Sequence, residues 1–312
     1  MMRLKKLFHN PWLLLAYILK KIARIVPDKI QLSLLHKVYV GKLVDWDNPK
    51  TFTEKLQWLK LYNRRPEYTT MVDKYAVKDY VANIIGEEYI IPTLGVWNSA
   101  EEIDWDSLPK RFVLKTTHGG GSNGVWICKD KSKFDKHKCI KEIRASLRSD
   151  LYWLFREWPY KNVPKRIIAE EFIMESSLQI SDDNFDDLRD YKFFCFNGKV
   201  EVFKIDFNRQ IYHQANYYTR DGELLPFGEV VCPPDLNKEM DFPENIGSMI
   251  ELAERLSQDL PFARVDFYNV NGIVYFGEIT FFPASGYGTF TSEDFNIMLG
   301  ETLKLSKFCL SE

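Results

Sequence analysis

The sequence is poor in the residues that build disulfide frameworks and zinc sites. Its 312 residues include five cysteines and five histidines. The cysteines are scattered, odd in number and without a Cys-x-x-Cys pair, and no two histidines have His-x-x-x-His spacing. The pattern argues against a disulfide scaffold and a structural zinc site, and it is typical of a protein in a reducing cytoplasm.

The chain also lacks a strong net charge and a long apolar run. The formal net charge is −2, so we expect no nucleic-acid partner. The apolar run Trp12–Leu19 has eight residues, whereas a helix needs about 20 to span a bilayer. With 45% hydrophobic and 28% charged residues, the composition is that of an ordinary globular protein with room for two or three lobes.

The first 26 residues contain six basic side chains and no acid. A basic, apolar helix of this kind can lie on an anionic membrane surface or pack on the body of the protein. We therefore expect a helical N-terminal segment over residues 1–65 in a cytoplasmic protein. Residues 1–26 are the candidate for peripheral contact with the inner face of the membrane.

Two predicted strands enclose a glycine-rich loop between residues 111 and 128. The first strand ends at Lys115, and the second covers Val125–Ile127. Glycine lets backbone N–H groups approach an anion closely, and the lysine supplies positive charge. The segment indicates a phosphate-holding hairpin, with a plain mobile turn as the alternative. Because the lysine precedes the glycines and no helix follows them, the loop is neither a P-loop nor a dinucleotide fingerprint. The loop residues concerned are Gly119, Gly120, Gly121, Ser122 and Gly124.

Other elements follow from capping and turn signals. Thr51–Glu54 resembles a capping box that opens a helix to Tyr62, and two Asn-Gly pairs predict tight hairpins. The remaining predicted helices cover 75–85, 136–158 and 246–260; the remaining strands cover 88–96 and 166–173, and the hairpins cover 191–205 and 263–280.

In the last hairpin, Asp266 and Glu278 lie near the ends of antiparallel partners. With a turn at 269–272, the two carboxylates fall within a few positions of one another. Carboxylates this close repel unless a positive group lies between them, and Mg²⁺ bound to nucleotide phosphates is the simplest candidate. A polar outer face of the hairpin is the alternative.

Taken together and in this order, the pieces resemble an ATP-grasp ligase over roughly residues 70–290. The pieces are a lysine before a Gly-rich flap, a strand ending in Glu-Glu-Phe-Ile, and a late Asp–Glu pair. Asp73-Lys74, the run from Leu108 to Gly119 and the run Phe276–Thr280 resemble more narrowly the TupA-like branch, which is associated with polysaccharide and teichuronopeptide synthesis. The resemblance implies an α+β fold, with antiparallel sheets in two lobes that sandwich ATP. The expected divisions are 1–65, 66–110, 111–180 and 188–312.

The resemblance also implies roles for individual residues. Lys74 and Lys115 would hold phosphates beneath the glycine flap, and Arg264 would face the transferring phosphate. Lys192 is a further phosphate or carboxylate candidate. The adenine side would be formed by Glu170, Glu171, Phe172 and Ile173, and the Mg²⁺ ligands would be Asp266, Glu278 and Thr280. Thr280 stands where many relatives have asparagine, and a hydroxyl is a poorer Mg²⁺ ligand than an amide carbonyl.

The implied reaction is amide formation through an acyl phosphate made with ATP and Mg²⁺. The expected partners are a small-molecule amine and a uronate-containing saccharide or polysaccharide. Aromatic stretches at 212–218 and 283–288 are candidates for the acceptor side. Three alternatives stay open at this point: a glycosyltransferase that binds a nucleotide sugar, a phosphotransferase that uses the same cleft, and a non-catalytic membrane scaffold.

Overall fold

The computed structural model describes residues 11–121, 124–174, 189–208 and 212–305. Ser122, in the predicted flap, lies outside these residues, as does most of the acidic stretch 181–190. Within the described ranges the chain forms nine α-helices and nine strands in two antiparallel sheets. No helix within those ranges is long and apolar enough to cross a membrane.

The N-terminal region is helical, as predicted. Helices α1 (Pro11–Lys21) and α2 (Asp28–Val40) pack together through buried aliphatic side chains and Tyr287. Arg156, which is 1% exposed, fastens this region to the body of the protein. Its guanidinium donates to the Val26 carbonyl at 2.8 Å and pairs with Asp28 at 2.8 Å.

Three helices precede the first sheet: α3 (Phe52–Tyr62), α4 (Glu67–Val72) and α5 (Ala76–Ile85). The predicted capping box is present, since Thr51 Oγ1 accepts the Glu54 N–H at 3.4 Å and Glu54 Oε2 accepts the Thr51 N–H at 3.0 Å. Helix α3 therefore begins directly after Thr51, two residues earlier than predicted.

The first sheet carries the predicted flap. Its strands are β1 (Thr93–Trp97), β2 (Phe112–Thr116), β3 (Val125–Cys128) and β4 (Ile167–Glu171), in the order β1-β4-β2-β3. Strands β2 and β3 form the expected hairpin. The predicted strand at 88–96 is only partly correct, because Glu87–Tyr89 is a 3₁₀ turn.

The single helix predicted over 136–158 is wrong. Helix α6 (Lys136–Leu147) is followed by a separate short helix, α7 (Leu151–Phe155), and by the 3₁₀ turn Trp158–Asn162. Asp150 opens α7, because its side chain accepts the Trp153 N–H at 3.3 Å, and Arg156, with φ of 58°, ends it. Helices commonly end at a residue in the left-handed region.

The second sheet has the order β7-β6-β5-β8-β9. Both Asn-Gly pairs form two-residue turns with positive φ at each position, the geometry that such pairs favour. Helices α8 (Ile246–Leu256) and α9 (Glu293–Thr302) contribute to the large core that packs against this sheet. The strands are β5 (Asp190–Phe196), β6 (Lys199–Phe207), β7 (Gln214–Thr219), β8 (Phe262–Val270) and β9 (Ile273–Thr280).

The predicted four-residue turn at 269–272 is too long. Strand pairing continues to Val270 and Ile273, so the turn consists of Asn271 and Gly272 alone. A bulge after Asp266 then shifts the register by one residue and sets Asp266 directly opposite Glu278. The two carboxylates are closer than the sequence alone indicated.

Candidate active site

On the first sheet, Glu170 lies between two lysines. Its carboxylate pairs with Lys115 of β2 at 2.5 Å and with Lys78 of α5 at 2.6 Å. Burial alone raises the pKa of Glu170, but the two ammonium groups outweigh it and the net shift is downward. The carboxylate is therefore ionised at neutral pH and keeps both lysines pointed toward the same place.

Lys74 is fastened to the base of the glycine flap. Its backbone N–H donates to the Thr117 carbonyl at 3.1 Å, and its Nζ donates to the Gly119 carbonyl. Burial lowers the pKa of Lys74, and the carboxylates of Glu278 and Glu170 only partly offset this. Lys74 thus lies where it meets both the flap and the second sheet.

The flap needs glycine at its return into β3. Gly124 has φ of +90°, and a Cβ there would lie 2.3 Å from Thr116 Oγ1 and 2.9 Å from Ser146 Oγ. These two hydroxyls are hydrogen-bonded to each other at 2.9 Å. At Gly121, with φ of +62°, an added Cβ would meet no atom within 4 Å, so this position is constrained by its backbone conformation alone.

The residues predicted for the adenine side follow Glu170 at the end of β4. Glu171 is exposed, and its N–H donates to the Pro92 carbonyl at 3.1 Å. Phe172 and Ile173 are half-buried. The structure therefore places these three residues together, next to the lysine-bound carboxylate of Glu170.

On the second sheet, one row of polar side chains crosses all five strands. Tyr217, Lys204, Lys192, Asp266 and Glu278 are successive register partners on neighbouring strands. We call these five residues the polar row. Because register partners point to the same face of a sheet, the row is continuous from one edge to the other.

Arg264 lies among the three predicted metal ligands. Its Nε and Nη2 donate to the two Asp266 oxygens, each at 2.7 Å, and Nη2 also reaches Glu278 Oε1 at 2.9 Å and Thr280 Oγ1 at 3.2 Å. The positive group that the sequence required between the carboxylates is thus an arginine of the chain itself. The oxygens of Asp266, Glu278 and Thr280 therefore form a set that can hold a cation, either this guanidinium or a metal ion.

The surrounding charges keep Glu278 ionised. Burial raises the pKa of Glu278, but Arg264, followed by Lys74 and Lys192, lowers it to about 2. Lys192 itself lies 3.1 Å from Asp206 and 3.6 Å from Asp266, and it also pairs with Asp190. Burial lowers the pKa of Lys192, but the three aspartates raise it more, so the side chain stays cationic.

A small cavity lies between Lys74 and the second sheet. Lys74 comes from the first half of the chain, Gly277 and Glu278 come from β9, and Tyr160 comes from the 3₁₀ turn after α7. Lys74, which is bonded to the base of the glycine flap, therefore faces the carboxylate side of the second sheet at this cavity.

At the far edge of the row, Lys204 is surrounded by acids. Its Nζ lies 3.2 Å from Glu229 and 3.5 Å from Asp206. Glu229 also accepts from the Tyr217 hydroxyl at 2.6 Å and from the Cys232 thiol at 2.9 Å. Asp206 in turn contacts His213 Nε2 at 3.0 Å.

The aromatic stretch at 212–218 does not form the sugar-facing surface suggested by the sequence. Tyr217 and Tyr218 are 0% and 4% exposed. Tyr217 packs against Phe295 and Tyr218 stacks on Phe203. Tyr212, at 62% exposure, is the member of the stretch that can meet a ligand.

Sequence reasoning missed several members of the site. Lys78 lies in the first turn of α5, four residues after Lys74, which precedes that helix. Asp190 and Asp206 each lie two residues from a lysine on a strand, so the strand period puts them on the face of the polar row. These signals were present in the sequence, but they become specific only once the hairpin register is known.

The model of the TupA-like ATP-grasp family matches residues 54–304. This match confirms the predicted α+β ATP-grasp fold and the prediction of an ATP-grasp enzyme. None of the curated proteins compared with the chain matches its sequence significantly.

Several solved structures are loosely similar. D-alanine–D-alanine ligase from Bacillus anthracis is 17% identical, with a TM-score of 0.37 over 68% of this chain and 57% of the ligase. The Helicobacter pylori ligase is 17% identical, with a TM-score of 0.42 over 81% and 67%. Biotin carboxylase from Campylobacter jejuni is 13% identical, with a TM-score of 0.42 over 84% and 53%. The chain thus spans less than two thirds of the first of these enzymes, and the family match carries the assignment.

Proposed function

Because the chain belongs to the TupA-like ATP-grasp family, we propose that it is an ATP-dependent carboxylate–amine ligase. The enzyme would bind ATP with Mg²⁺ between its two sheets. The substrate carboxylate would attack the γ-phosphate to give an acyl phosphate and ADP, and an amine would then displace phosphate to give an amide.

The observation that carries the proposal is the convergence of Lys74 and Glu278 on one cavity. Lys74 is hydrogen-bonded to Gly119 at the base of the flap. Glu278 accepts a hydrogen bond from Arg264, which also donates to Asp266. Phosphoryl transfer depends on positioning and on neutralising charge more than on covalent chemistry. This arrangement offers both, with a lysine beneath the flap on one side and a set of oxygens that can hold a cation on the other.

The residues present fit a magnesium ion. Asp266, Glu278 and Thr280 offer two carboxylates and a hydroxyl, and hard cations such as Mg²⁺ prefer oxygen ligands. The set already holds the Arg264 guanidinium within 2.7–3.2 Å. When bound there, Mg²⁺ would neutralise the developing charge on the phosphates.

The side chains of the candidate site would then have separate roles. Lys74, Lys115 and Lys192 would hold phosphate oxygens or the substrate carboxylate, and Arg264 would turn from the carboxylates toward the transferring phosphate. The glycine flap would close over the nucleotide and exclude water, because an acyl phosphate is lost by hydrolysis. Glu170 would fix Lys115 in place throughout.

For the substrates, we propose a uronic acid of a surface polysaccharide, or of its precursor, and an amino acid or a similar amine. The support is the association of the TupA-like branch with such polymers. Exposed Tyr212, at the edge of the second sheet, offers one aromatic face for a sugar ring.

We also propose that the N-terminal region contacts the inner membrane surface while its helix packs on the body. Beside Lys21 and Arg24, the side chains of Tyr17, Ile18 and Ile25 are 50%, 44% and 80% exposed. Apolar and basic side chains together favour anionic lipid. Sedimentation with anionic vesicles, but not with zwitterionic vesicles, would support the contact, and its absence from both would refute it.

Glycosyl transfer remains the main competitor. The chain contains two Asp-x-Asp sequences, Asp45–Asp47 and Asp104–Asp106, which sequence reasoning overlooked. In each, the first aspartate caps its own turn: Asp45 accepts two backbone N–H groups at 3.0–3.2 Å, and Asp104 accepts two at 3.2–3.3 Å. Both are thus accounted for as Asx turns, which makes them weak candidates for a metal-diphosphate site.

The test is a screen for ADP release with panels of uronates and amines. The ligase account predicts ADP release that requires a carboxylate, and a product whose mass equals the two substrates minus one water. A phosphorylated product without an amine requirement would favour the phosphotransferase. Turnover of a nucleotide sugar without ATP would refute the ligase account.

A further inference from the structure

His213 lies at the exposed end of the polar face of the second sheet. Its Nε2 is 3.0 Å from Asp206 Oδ1; the His213 side chain is 42% exposed, whereas that of Asp206 is 2% exposed. A partly exposed imidazole backed by a buried carboxylate is an arrangement in which the carboxylate orients the ring and the ring meets the solvent or a ligand.

Asp206 connects this imidazole to the centre of the site. Its Oδ2 lies 3.1 Å from Lys192 Nζ, and Lys192 Nζ lies 3.6 Å from Asp266. A short chain of polar contacts therefore runs from the exposed ring to the predicted metal ligand.

The same contacts fix the tautomer of the neutral ring. The ammonium groups of Lys192 and Lys204, at 3.1 and 3.5 Å, favour the ionised form of Asp206, which can only accept hydrogen bonds. The neutral imidazole must then carry its hydrogen on Nε2. Its Nδ1 keeps a lone pair and can accept a proton.

The proposed reaction needs such a group. Amines are mostly cationic near neutral pH and must lose a proton before they can attack an acyl phosphate. The lysines of the polar row cannot take it. Lys192 is paired with Asp190, Asp206 and Asp266. Lys204 is paired with Glu229 and Asp206, so both ammonium groups are already held by carboxylates.

We propose that His213 is the general base that deprotonates the attacking amine, and that Asp206 is the positioning residue that holds its tautomer. The inference rests on the proposed function. One proton passes from the ammonium to His213 Nδ1, and the freed nitrogen lone pair attacks the acyl carbon. The C–N bond forms and the C–O bond to phosphate breaks. The second nitrogen proton leaves with the phosphate as HPO₄²⁻, and His213 returns its proton to water.

The main competing role for His213 is metal ligation. Among the described residues, ligand atoms of Asp206, His213 and Cys232 lie within 4.8 Å of one another. However, the Lys204 ammonium lies within 4.0 Å of the Cys232 sulfur and 3.5 Å of Asp206. Its positive charge therefore already lies beside two of the three ligand atoms. Burial and Glu229 also raise the pKa of Cys232 to about 12, which keeps the thiol protonated.

The experiment compares two nucleophiles on His213→Gln and on the matched control His137→Gln. His137 lies exposed on α6. With ATP and the carboxylate substrate, one series receives the amine substrate and the other receives hydroxylamine, which is uncharged at neutral pH and needs no base. Loss of a general base slows the step by about 10²–10⁴-fold. His213→Gln should therefore lose amide formation on that scale while hydroxamate formation and the control variant stay at the wild-type rate.

Equal loss with both nucleophiles, or loss with neither, would overturn the assignment of His213. A parallel loss of amide formation in Cys232→Ser, with one zinc bound per wild-type chain, would make His213 a metal ligand instead. Failure of the wild type to form hydroxamate from any carboxylate would overturn the proposed function, and this inference with it. The two failures are distinct, because the first leaves wild-type hydroxamate formation intact.

Discussion

Replacing Glu170 by glutamine removes the carboxylate that pairs with Lys78 at 2.6 Å and with Lys115 at 2.5 Å. The three side chains are 6%, 11% and 17% exposed, so neither lysine can recover full hydration after the change. Removing one partner of a buried ion pair costs about 3–5 kcal/mol, since it leaves an uncompensated charge. Glutamine keeps one acceptor oxygen, and we therefore expect the lower end of this range.

The assay is urea unfolding at neutral pH, with Glu101→Gln as the matched control. Glu101 pairs with Arg144 at 2.5 Å, but the two side chains are 57% and 55% exposed. Exposed pairs contribute little, so the control should unfold like the wild type. Equal losses in the two variants would refute the reasoning, because burial is the main difference between them.

Acid titration gives an independent check on the same pair. Although burial raises the pKa of Glu170, the two lysines lower it further, and the net shift is downward. The stabilisation from a lowered carboxylate pKa is present above the ordinary pKa of glutamate and is lost as the pH falls. The difference in unfolding free energy between wild type and Glu170→Gln should therefore shrink on acidification below about pH 4.3.

Two further predictions concern the flap and the turn after β9. Gly124→Ala should weaken Mg-ATP binding and lower stability more than Gly41→Ala, measured by calorimetry and urea unfolding, because both sites have positive φ but only Gly124 has neighbours within 4 Å. Lys60→Met should cost about 3 kcal/mol in urea unfolding. The fully buried Nζ donates to Gln57 and to the carbonyls of Phe155 and Ser285 at 2.7–3.0 Å. A decrease in unfolding free energy of less than about 1 kcal/mol would contradict this, because it would show that water can hydrogen-bond to the three acceptors in place of the lysine.

The sequence alone predicted the elements whose stabilising contacts join residues close together in the chain. The Asn-Gly hairpins, the capping box of α3 and the strands around the flap depend on residues a few positions apart, and all are present. The helix predicted over 136–158 failed in two places. The break before α7 is local, since Asp150 caps that helix. Arg156, which ends α7, instead contacts Val26 and Asp28, more than 120 residues away in sequence.

The sequence named candidate site residues but not the partners with which they pair. Lys74, Lys115, Asp266 and Glu278 were named from motif order, but their charge partners depend on strand register. A single-residue bulge after Asp266 sets it opposite Glu278. Hairpin pairing likewise brings Lys192 beside Lys204. Sequence spacing alone leaves such registers uncertain by one or two positions, and one position reverses the face of a strand.

The most direct test of the central claim is a thermal-shift titration with Mg-ATP, run beside a UDP-sugar. The wild type is compared with Asp266→Asn/Glu278→Gln and with the matched exposed pair Asp221→Asn/Glu223→Gln. A ligand at 100 times its Kd stabilises the folded state by about 2.7 kcal/mol. The account predicts a rise in Tm with Mg-ATP for the wild type and the exposed pair, and none for the site variant. Stabilisation by the UDP-sugar alone, or an Mg-ATP shift that survives the loss of both carboxylates, would contradict it.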